Sequence, residues 1–162
     1  MMSVECRFAL VVIVLFGCVS CSAAKEDKWT RARPKTHAVR GRVEMRGRPV
    51  EAAKVVFHTK LPENGQDYSA FGYTDARGMF VLQTFRDGDG AVAGKHRVTI
   101  EKLTYDSPAA PRNEGDAVPA PVEKSHLPDR YRSPDASGLT AEVTAKGANA
   151  FVFALDDPPM NK

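Results

Sequence analysis

Apolar and polar residues alternate in short runs from His37 to Leu155, with the period of two that is typical of half-buried β-strands. In the first run, Val39, Gly41 and Val43 share one side, and charged residues occupy the other. β-branched and aromatic residues are frequent in the later runs, and no amphipathic helix is indicated in this region. The chain is therefore predicted to be all-β. The predicted strands cover 39–45, 54–58, 70–74, 79–84, 96–101, 139–143 and 150–155.

Turn residues separate these runs at short intervals. Asp75–Gly78 and Lys146–Asn149 each lie between two predicted strands, so each is predicted to close a β-hairpin. Arg46–Pro49 is predicted to be a tight turn, because glycine permits unusual dihedral angles and proline fixes φ. Seven short strands with regular turns predict a single two-sheet β-sandwich of immunoglobulin-like architecture.

The segment from 103 to 136 departs from this pattern. It contains six prolines and shows little alternation, and connections of this length are usually functional or disordered. Its middle part, Pro108–Pro121, is predicted to be mobile. Its later part, Leu127–Tyr131, carries an apolar residue and an aromatic ring. This part is predicted to be an ordered return crossing that docks on the sandwich.

The N-terminus has a different composition. Glu5 and Arg7 precede nine apolar residues, Phe8–Phe16. This is the build of a secretory signal, and it is too short for a membrane span of about 20 residues. A largely polar stretch follows up to Lys35. These changes predict four parts, which are a signal peptide (1–17), a polar tether (18–36), the β-domain (37–156) and a tail (157–162).

The signal ends in Leu15-Phe16-Gly17-Cys18, which resembles the lipobox of bacterial lipoproteins. The resemblance implies that the Cys18 thiol receives a diacylglycerol, that the chain is cut before Cys18, and that the new amino group is acylated, for example with palmitate. Cys21 is an alternative attachment site, and a secreted protein without lipid is a further alternative. Two or more lipid chains anchor a protein stably, so the membrane is an expected partner.

The residues around the cysteines refine the expected location. Val19 and Ser20, rather than aspartate, follow Cys18. By analogy with lipoprotein sorting, this favours the outer membrane of the cell envelope, with the domain facing the periplasm or the cell surface. The β-domain contains no cysteine, so no disulfide is expected to stabilise it. The cysteines of the chain are Cys6, Cys18 and Cys21.

The charge distribution argues against one class of partner. The formal net charge is +3, and acidic and basic residues are interspersed along the chain. Basic residues do not interleave with aromatic ones, and no nucleic-acid-binding motif is present. Nucleic acid is therefore not an expected partner.

A series of short motifs runs through the β-domain. In order, they are Gly41-x-Val43, Gly47-Arg48-Pro49-Val50, Val55-x-Phe57, Thr74-Asp75-x-x-Gly78-x-Phe80, Gly94-x-His96-x-Val98-x-Ile100, Leu127-Pro128-x-x-Tyr131 and Ser137-Gly138-Leu139-Thr140. This series resembles the carboxypeptidase regulatory-like, or transthyretin-like, domain of small bacterial lipoproteins. The resemblance covers residues 37–156 and implies a seven-stranded sandwich of prealbumin type. His96 departs from it, because tyrosine is usual there. No catalytic residue or cofactor transfers with these structural motifs.

Catalytic and metal sites are not predicted. Thr36-His37 and Gly47-Arg48-Pro49 resemble the opening of hydroxyisourate hydrolase, a transthyretin-like enzyme. However, that family also uses a histidine near the end of the chain and a C-terminal Tyr-Arg-Gly-Ser. Here the last strand lacks a histidine, and the similar Tyr131-Arg132-Ser133-Pro134 is internal and incomplete. The partners that would position a base are therefore missing. Asp87-x-Asp89-Gly90 begins like a calcium loop, but Val98 stands at its twelfth position, so a turn is expected. The histidines show no metal-ligand spacing. They are His37, His58, His96 and His126.

The expected function is therefore that of an extracytoplasmic interaction module without enzymatic activity. A membrane-anchored β-sandwich is expected to bind a protein or a glycan through its loops or a sheet edge. A structural envelope protein that associates with itself is the main alternative. A small-molecule carrier is a weaker one, because the sequence indicates no pocket residues.

Overall fold

The computed structural model describes residues 33–62, 65–106 and 120–156. The predicted signal peptide, both candidate lipid-attachment cysteines, the tail and most of the segment predicted to be mobile lie outside the described residues. Within these ranges, no helix reaches the length and apolarity that a membrane span requires.

The described residues form twelve β-strands and one 3-10 helix, which confirms the predicted all-β class. Each of the seven predicted runs overlaps a strand, but five short strands were not predicted, so the count of seven is not confirmed. The strands are β1 (Thr36–His37), β2 (Val39–Met45), β3 (Arg48–Pro49), β4 (Lys54–Lys60), β5 (Asp67–Tyr73), β6 (Met79–Val81), β7 (Ala91–Val92), β8 (Gly94–Glu101), β9 (Leu103–Asp106), β10 (Val122–Ser125), β11 (Leu139–Val143) and β12 (Asn149–Leu155), and the 3-10 helix is Asp129–Arg132.

Two larger sheets contain most of the strands. The first, here called the β8 sheet, is antiparallel and has the order β11-β8-β4-β5. The second, here called the β2 sheet, places β2 between β12 on one side and β3 and β6 on the other. β12 runs parallel to β2, with Phe153 opposite Val43. Two small antiparallel pairs, β1 with β7 and β9 with β10, complete the architecture.

The inner faces of the two sheets share one hydrophobic core, which is consistent with a β-sandwich. Phe57 of the β8 sheet is fully buried and lies 6.4 Å from Phe80 and 5.9 Å from Phe153 of the β2 sheet, measured between ring centroids. Phe80 and Phe153 stack on each other. Burying each large apolar side chain contributes about 1.5–3 kcal/mol, so this aromatic cluster is a principal contact between the sheets.

The predicted hairpin across Lys146–Asn149 is wrong. β11 pairs with β8, whereas β12 pairs with β2, so the chain crosses from one sheet to the other between them. The buried Asn149 side chain supports this crossing, because it accepts a hydrogen bond from the Thr144 N–H (2.9 Å) and donates to the carbonyls of Thr144 (3.1 Å) and Ala38 (3.3 Å). These bonds satisfy main-chain groups that a hairpin ladder would otherwise pair.

The predicted hairpin across Asp75–Gly78 is only partly realised. The turn is present, since the Asp75 side chain accepts hydrogen bonds from the N–H groups of Arg77 and Met79, both at 2.8 Å. Beyond the turn, β6 pairs with β2 rather than with β5. The hairpin register is seen next to the turn, where the Asp75 N–H donates to the Met79 carbonyl (2.8 Å), and again where Phe71 and Gln83 exchange two main-chain hydrogen bonds. The strand predicted over 79–84 ends at Val81 for this reason. This corner joins the two sheets.

The turn predicted over Arg46–Pro49 is present but shorter, because Arg48–Pro49 forms strand β3 and pairs with β2. Met45 and Arg48 are paired across a two-residue loop, Arg46-Gly47. Both loop residues have positive φ angles, 52° and 71°. Two consecutive positive φ angles are the requirement of the type I′ turn, whose twist suits a β-hairpin.

The predicted docking of Leu127–Tyr131 is confirmed. Leu127 and Tyr131 are both buried in the core. The Tyr131 hydroxyl accepts hydrogen bonds from the Arg130 guanidinium (2.7 Å) and the Asp156 N–H (2.9 Å), and it donates to the Asp156 carbonyl (3.2 Å). This segment therefore holds the end of β12 in place.

Candidate functional site

A groove of about 860 Å³ lies along the β8 sheet. The residues that line it include a row of four side chains that are directly opposite one another on adjacent strands, in the order Thr140, Arg97, His58 and Ser69. Side chains opposite each other on antiparallel strands stand on the same face of a sheet. Thr140, Arg97 and Ser69 are exposed, so this face presents a polar row to solvent.

His58 occupies the middle of the row and contacts hydroxyl groups through both ring nitrogens. Its Nε2 lies 3.0 Å from the Thr99 Oγ1, and its Nδ1 lies 3.3 Å from the Ser69 Oγ. A neutral imidazole has one N–H donor and one lone pair, so one hydroxyl accepts a hydrogen bond from His58 and the other donates one. Both contacts fix the orientation of the ring.

Burial lowers the pKa of His58 below its ordinary value of 6.5, and the nearby positive charge of Arg97 lowers the pKa further. His58 is therefore predominantly neutral at neutral pH. A neutral imidazole can both donate and accept hydrogen bonds, which suits it to recognise a polar ligand.

Arg97 has an acidic partner from outside the sheet. Its guanidinium forms an ion pair and a hydrogen bond with the Asp135 carboxylate. Asp135 belongs to the turn that follows the 3-10 helix, where Ser133 accepts hydrogen bonds from the N–H groups of Ala136 (3.2 Å) and Ser137 (2.9 Å). The preceding residue, Pro134, lines the groove. The turn thus places a carboxylate at the edge of the polar row.

Charged residues of both signs flank the row. Lys95 lies opposite Glu142, and Lys60 lies opposite Asp67. All four side chains line the groove. Each lysine therefore has an acidic neighbour on the adjacent strand, and the flanks of the groove carry no large excess of either charge.

His96 lies on the inner side of the same strand as Arg97. It is 2% exposed and packs 5.6 Å from Phe57, measured between ring centroids. Its Nε2–H donates to the Val92 carbonyl at 2.8 Å, which leaves the buried Nδ1 without a partner among the described residues. Burial lowers the pKa of His96, the hydrogen bond to the Val92 carbonyl opposes this effect, and His58 lowers the pKa of His96 further when His58 itself is protonated.

The expected packing of His96 within its strand is thus observed, and its polar contact is with the main chain. The groove and its central row were not predicted. His58 and Arg97 are 39 positions apart in the sequence, and only the strand register brings them together. The available signal was the alternation itself, which already placed His58 and Arg97 on the polar side of their runs.

Asp87-x-Asp89-Gly90 forms the turn that was expected. The Asp89 carboxylate accepts hydrogen bonds from the main-chain N–H groups of Thr84 (2.7 Å), Phe85 (3.1 Å) and Arg86 (3.1 Å). These bonds account for the acidic residue at this position as a turn-forming group. In the ranges that the structure describes, no group of three or more His, Cys, Asp or Glu side chains is arranged to hold a metal ion.

The remaining candidate residues lie apart from the groove. His126 bonds through its Nε2 with the Thr104 hydroxyl at 2.8 Å, and His37 belongs to β1, which pairs with β7. Cys18 and Cys21 lie outside the described residues. The histidines that come together are thus His58 and His96, on opposite sides of one sheet.

Comparison with known proteins gives little further information. No family model matches the sequence, and no curated protein matches it. Among solved structures, a crystal structure of a 9R-lipoxygenase from Cyanothece matches with 12% sequence identity and a TM-score of 0.37. The match covers 78% of this chain and 17% of the lipoxygenase chain. A likeness of this degree carries no argument about fold or activity.

Proposed function

We propose that this protein is a lipid-anchored module of the bacterial cell envelope that binds a partner through the groove on the β8 sheet. The binding role is argued from the row Thr140–Arg97–His58–Ser69 on the solvent face of the sheet. Its members are two hydroxyl groups, a guanidinium and a neutral imidazole, which together offer hydrogen-bond donors and acceptors side by side. A concave surface with convergent polar groups is the usual form of a recognition site.

The anchor is argued from the sequence. Leu15-Phe16-Gly17-Cys18 closes a signal-like apolar run, and we place the lipid on Cys18, with Cys21 as the alternative. We place the domain on the outer membrane, facing the periplasm or the cell surface. The order of motifs in the β-domain supports a sandwich of prealbumin type, and the all-β fold with two sheets around one core is compatible with it.

A binding role is favoured over catalysis by the surroundings of His58. Its two ring nitrogens are held by the hydroxyls of Thr99 and Ser69, whereas a histidine base in a nucleophilic site is oriented by a carboxylate in the common arrangement. The partner is a protein or a glycan, and neither a cofactor nor nucleic acid is part of the proposal.

Site-specific photo-crosslinking in intact cells tests the binding role. A photoreactive amino acid is placed at Thr140 in the groove and, as the matched control, at Val152 on the outer face of the β2 sheet, which is 70% exposed. We expect one defined product from Thr140 and none of the same size from Val152. Absence of a Thr140 product would contradict the proposal.

The same experiment addresses the self-associating alternative. β12 lies at an edge of the β2 sheet and contains no charged residue, and uncharged edge strands are prone to pair with other strands. A ladder of multiples of the chain's own mass from Val152, without a Thr140 product, would favour a structural envelope protein.

Labelled-palmitate incorporation tests the anchor. The wild-type chain, Cys18→Ser and Cys21→Ser are compared in growing cells. We expect label in the wild type and in Cys21→Ser, and loss of label in Cys18→Ser. Label that persists in Cys18→Ser but is lost in Cys21→Ser would move the attachment site to Cys21.

A further inference from the structure

We propose that the groove recognises a carboxylate group of its partner at Arg97, and that the Asp135 carboxylate occupies this place in the unbound protein. This inference rests on the proposed binding function and specifies the chemistry of the ligand. Arg97 lines the groove, and its ion-pair partner, Asp135, belongs to a loop.

The strand register distinguishes Arg97 from the lysines of the same face. Lys54, Lys60 and Lys95 lie directly opposite Glu101, Asp67 and Glu142, respectively. Arg97 lies opposite Thr140 and His58, which are both neutral at neutral pH. Within the described part of this face, Arg97 is therefore the cation that has no acidic residue directly opposite it on an adjacent strand.

The acidic partner of Arg97 is instead Asp135, from the turn after the 3-10 helix. Both side chains are largely exposed, at 59% for Arg97 and 82% for Asp135. Exposed ion pairs of this kind contribute little to stability. A ligand carboxylate can thus replace Asp135 without disturbing the core.

Neighbouring groups complete the site for a carboxylate-bearing molecule. The Thr140 hydroxyl lies next to Arg97 along the row, and the Ser69 hydroxyl lies beyond His58, two strands from Arg97. Both hydroxyls can donate hydrogen bonds to a ligand that extends along the row. The guanidinium of Arg97 has the fork geometry that matches a carboxylate. The groove of about 860 Å³ leaves room for a ligand larger than the carboxylate itself.

A carboxylate group is favoured over a phosphate group because of the acidic residues nearby. Glu142 and Asp67 flank the row, and they would repel a phosphate group, which concentrates up to two negative charges at Arg97, more strongly than a single carboxylate group of a ligand, which brings one charge there. The group that the protein itself places on Arg97 is also a carboxylate.

Nuclear magnetic resonance titration of the full-length chain in detergent micelles tests the inference. The probes are succinate and its uncharged analogue succinamide, with inorganic phosphate as a third arm. We expect succinate to shift the Arg97 Nε–H and His58 ring signals at millimolar concentration, and succinamide to leave them unchanged. We expect phosphate to bind more weakly than succinate.

Single substitutions distinguish two effects on succinate binding, namely competition between Asp135 and the ligand for Arg97 and a general change in the net charge of the groove. Asp135→Asn is expected to tighten succinate binding roughly two- to five-fold, which corresponds to the release of one exposed ion pair. Glu142→Gln removes a negative charge from the groove without freeing Arg97, so its effect is expected to be smaller. Arg97→Gln is expected to abolish the shifts, whereas Arg40→Gln on the other sheet is expected to retain them.

Three results of these titrations would overturn the inference. They are equal shifts with succinate and succinamide, tighter binding of phosphate than of succinate, and an affinity of Asp135→Asn for succinate that equals that of the wild type. An equal gain in Glu142→Gln would also overturn it, because the effect would then be one of net charge. If succinate fails while the Thr140 crosslink persists, the carboxylate inference is wrong and the binding function stands.

Discussion

The outer faces of the two sheets follow the same alternation but neutralise their arginines in different ways. On the β2 sheet, Arg42 lies between Val152 and Met79 in register, and its Nε is 3.0 Å from Glu44 Oε1 on the same strand. On the β8 sheet, Arg97 depends on Asp135, 38 residues away in the sequence.

The source of the counter-charge provides a physical basis for ligand binding on a regular sheet. A cation whose counter-charge is built into its own strand is neutralised wherever the strand forms. A cation whose counter-charge comes from a loop can exchange that partner for a ligand. This contrast is the reason for which we propose the β8 sheet, rather than the β2 sheet, as the recognition face. Substitutions in the shared core and on the two faces test the contrast.

Phe57→Ala is expected to have the largest effect, because Phe57 is the ring of the β8 sheet that contacts the aromatic rings of the β2 sheet. Truncation of a buried phenylalanine costs about 3–5 kcal/mol of the free energy of unfolding. Urea denaturation followed by circular dichroism measures this change. Val152→Ala, on an exposed outer position, is the control and should stay within about 0.5 kcal/mol. Similar effects of both substitutions would contradict a shared core.

Gly41→Ala is expected to destabilise the protein by about 1–3 kcal/mol, as overpacking in a core does. A Cβ atom at Gly41 would lie 2.4 Å from the Phe151 carbonyl oxygen and 2.5 Å from the Phe80 ring. The close approach of β12 and β6 to β2 therefore requires glycine. Arg40→Ala, which changes the exposed neighbour on the same strand, serves as the comparison in the same denaturation assay and should have little effect.

Tyr131→Phe is expected to cost about 1–2 kcal/mol, because it removes a buried hydroxyl that bonds the end of β12. Hydrogen exchange of the Asp156 amide should accelerate in the same variant. Tyr73→Phe is the matched control, since the Tyr73 side chain is 62% exposed. If Tyr73→Phe lowered stability as much as Tyr131→Phe, the hydroxyl would have no special role.

The smallest expected effect is a pH dependence of stability that comes from the two histidines of the β8 sheet. Burial is the main cause that lowers the pKa of each one below the ordinary value of 6.5. The unfolded chain therefore binds more protons than the folded chain as the pH falls below 6.5, and stability decreases in that direction. Above 6.5, both states are largely neutral at these positions and the loss disappears.

Substitution shows which histidine dominates this slope. We expect His96→Phe to flatten the fall in the free energy of unfolding on acidification more than His58→Gln does. The reason is that the buried Nδ1 of His96 has no partner in the described structure, so its protonation is costly. Urea denaturation at several pH values measures both slopes. A steeper effect of His58→Gln would assign the acid sensitivity to the outer face instead.

Local pattern was sufficient to locate seven of the twelve described strands but not to pair them. The bounds of β2 and β11 follow directly from alternation, because each has one buried face. The partner of β12 was mispredicted, because the sequence around Asn149 is typical of a turn. In the structure, the Asn149 side chain instead bonds the main chain of both Thr144 and Ala38. The presence of such a residue in a short connection does not reveal whether the chain folds back or crosses to another sheet.

The candidate site was hidden for a related reason. The alternation shows that Arg97 and His58 face away from the core, but their adjacency depends on the pairing of β4 with β8. The ion pair with Asp135 depends in addition on a turn that follows a proline-rich segment. Long-range register of this kind leaves no trace in composition or spacing along a single sequence.

The parallel pairing of β12 with β2 has a consequence for how the chain reaches its native state. β2 is the first long strand in the sequence and β12 is the last, so the pairing of Val39 with Asn149 joins the two ends of the domain. Pairings between such distant segments form slowly, and until then one edge of β2 stays open to other strands. A chain truncated before Asn149 is therefore expected to keep this edge of β2 open for association with other strands.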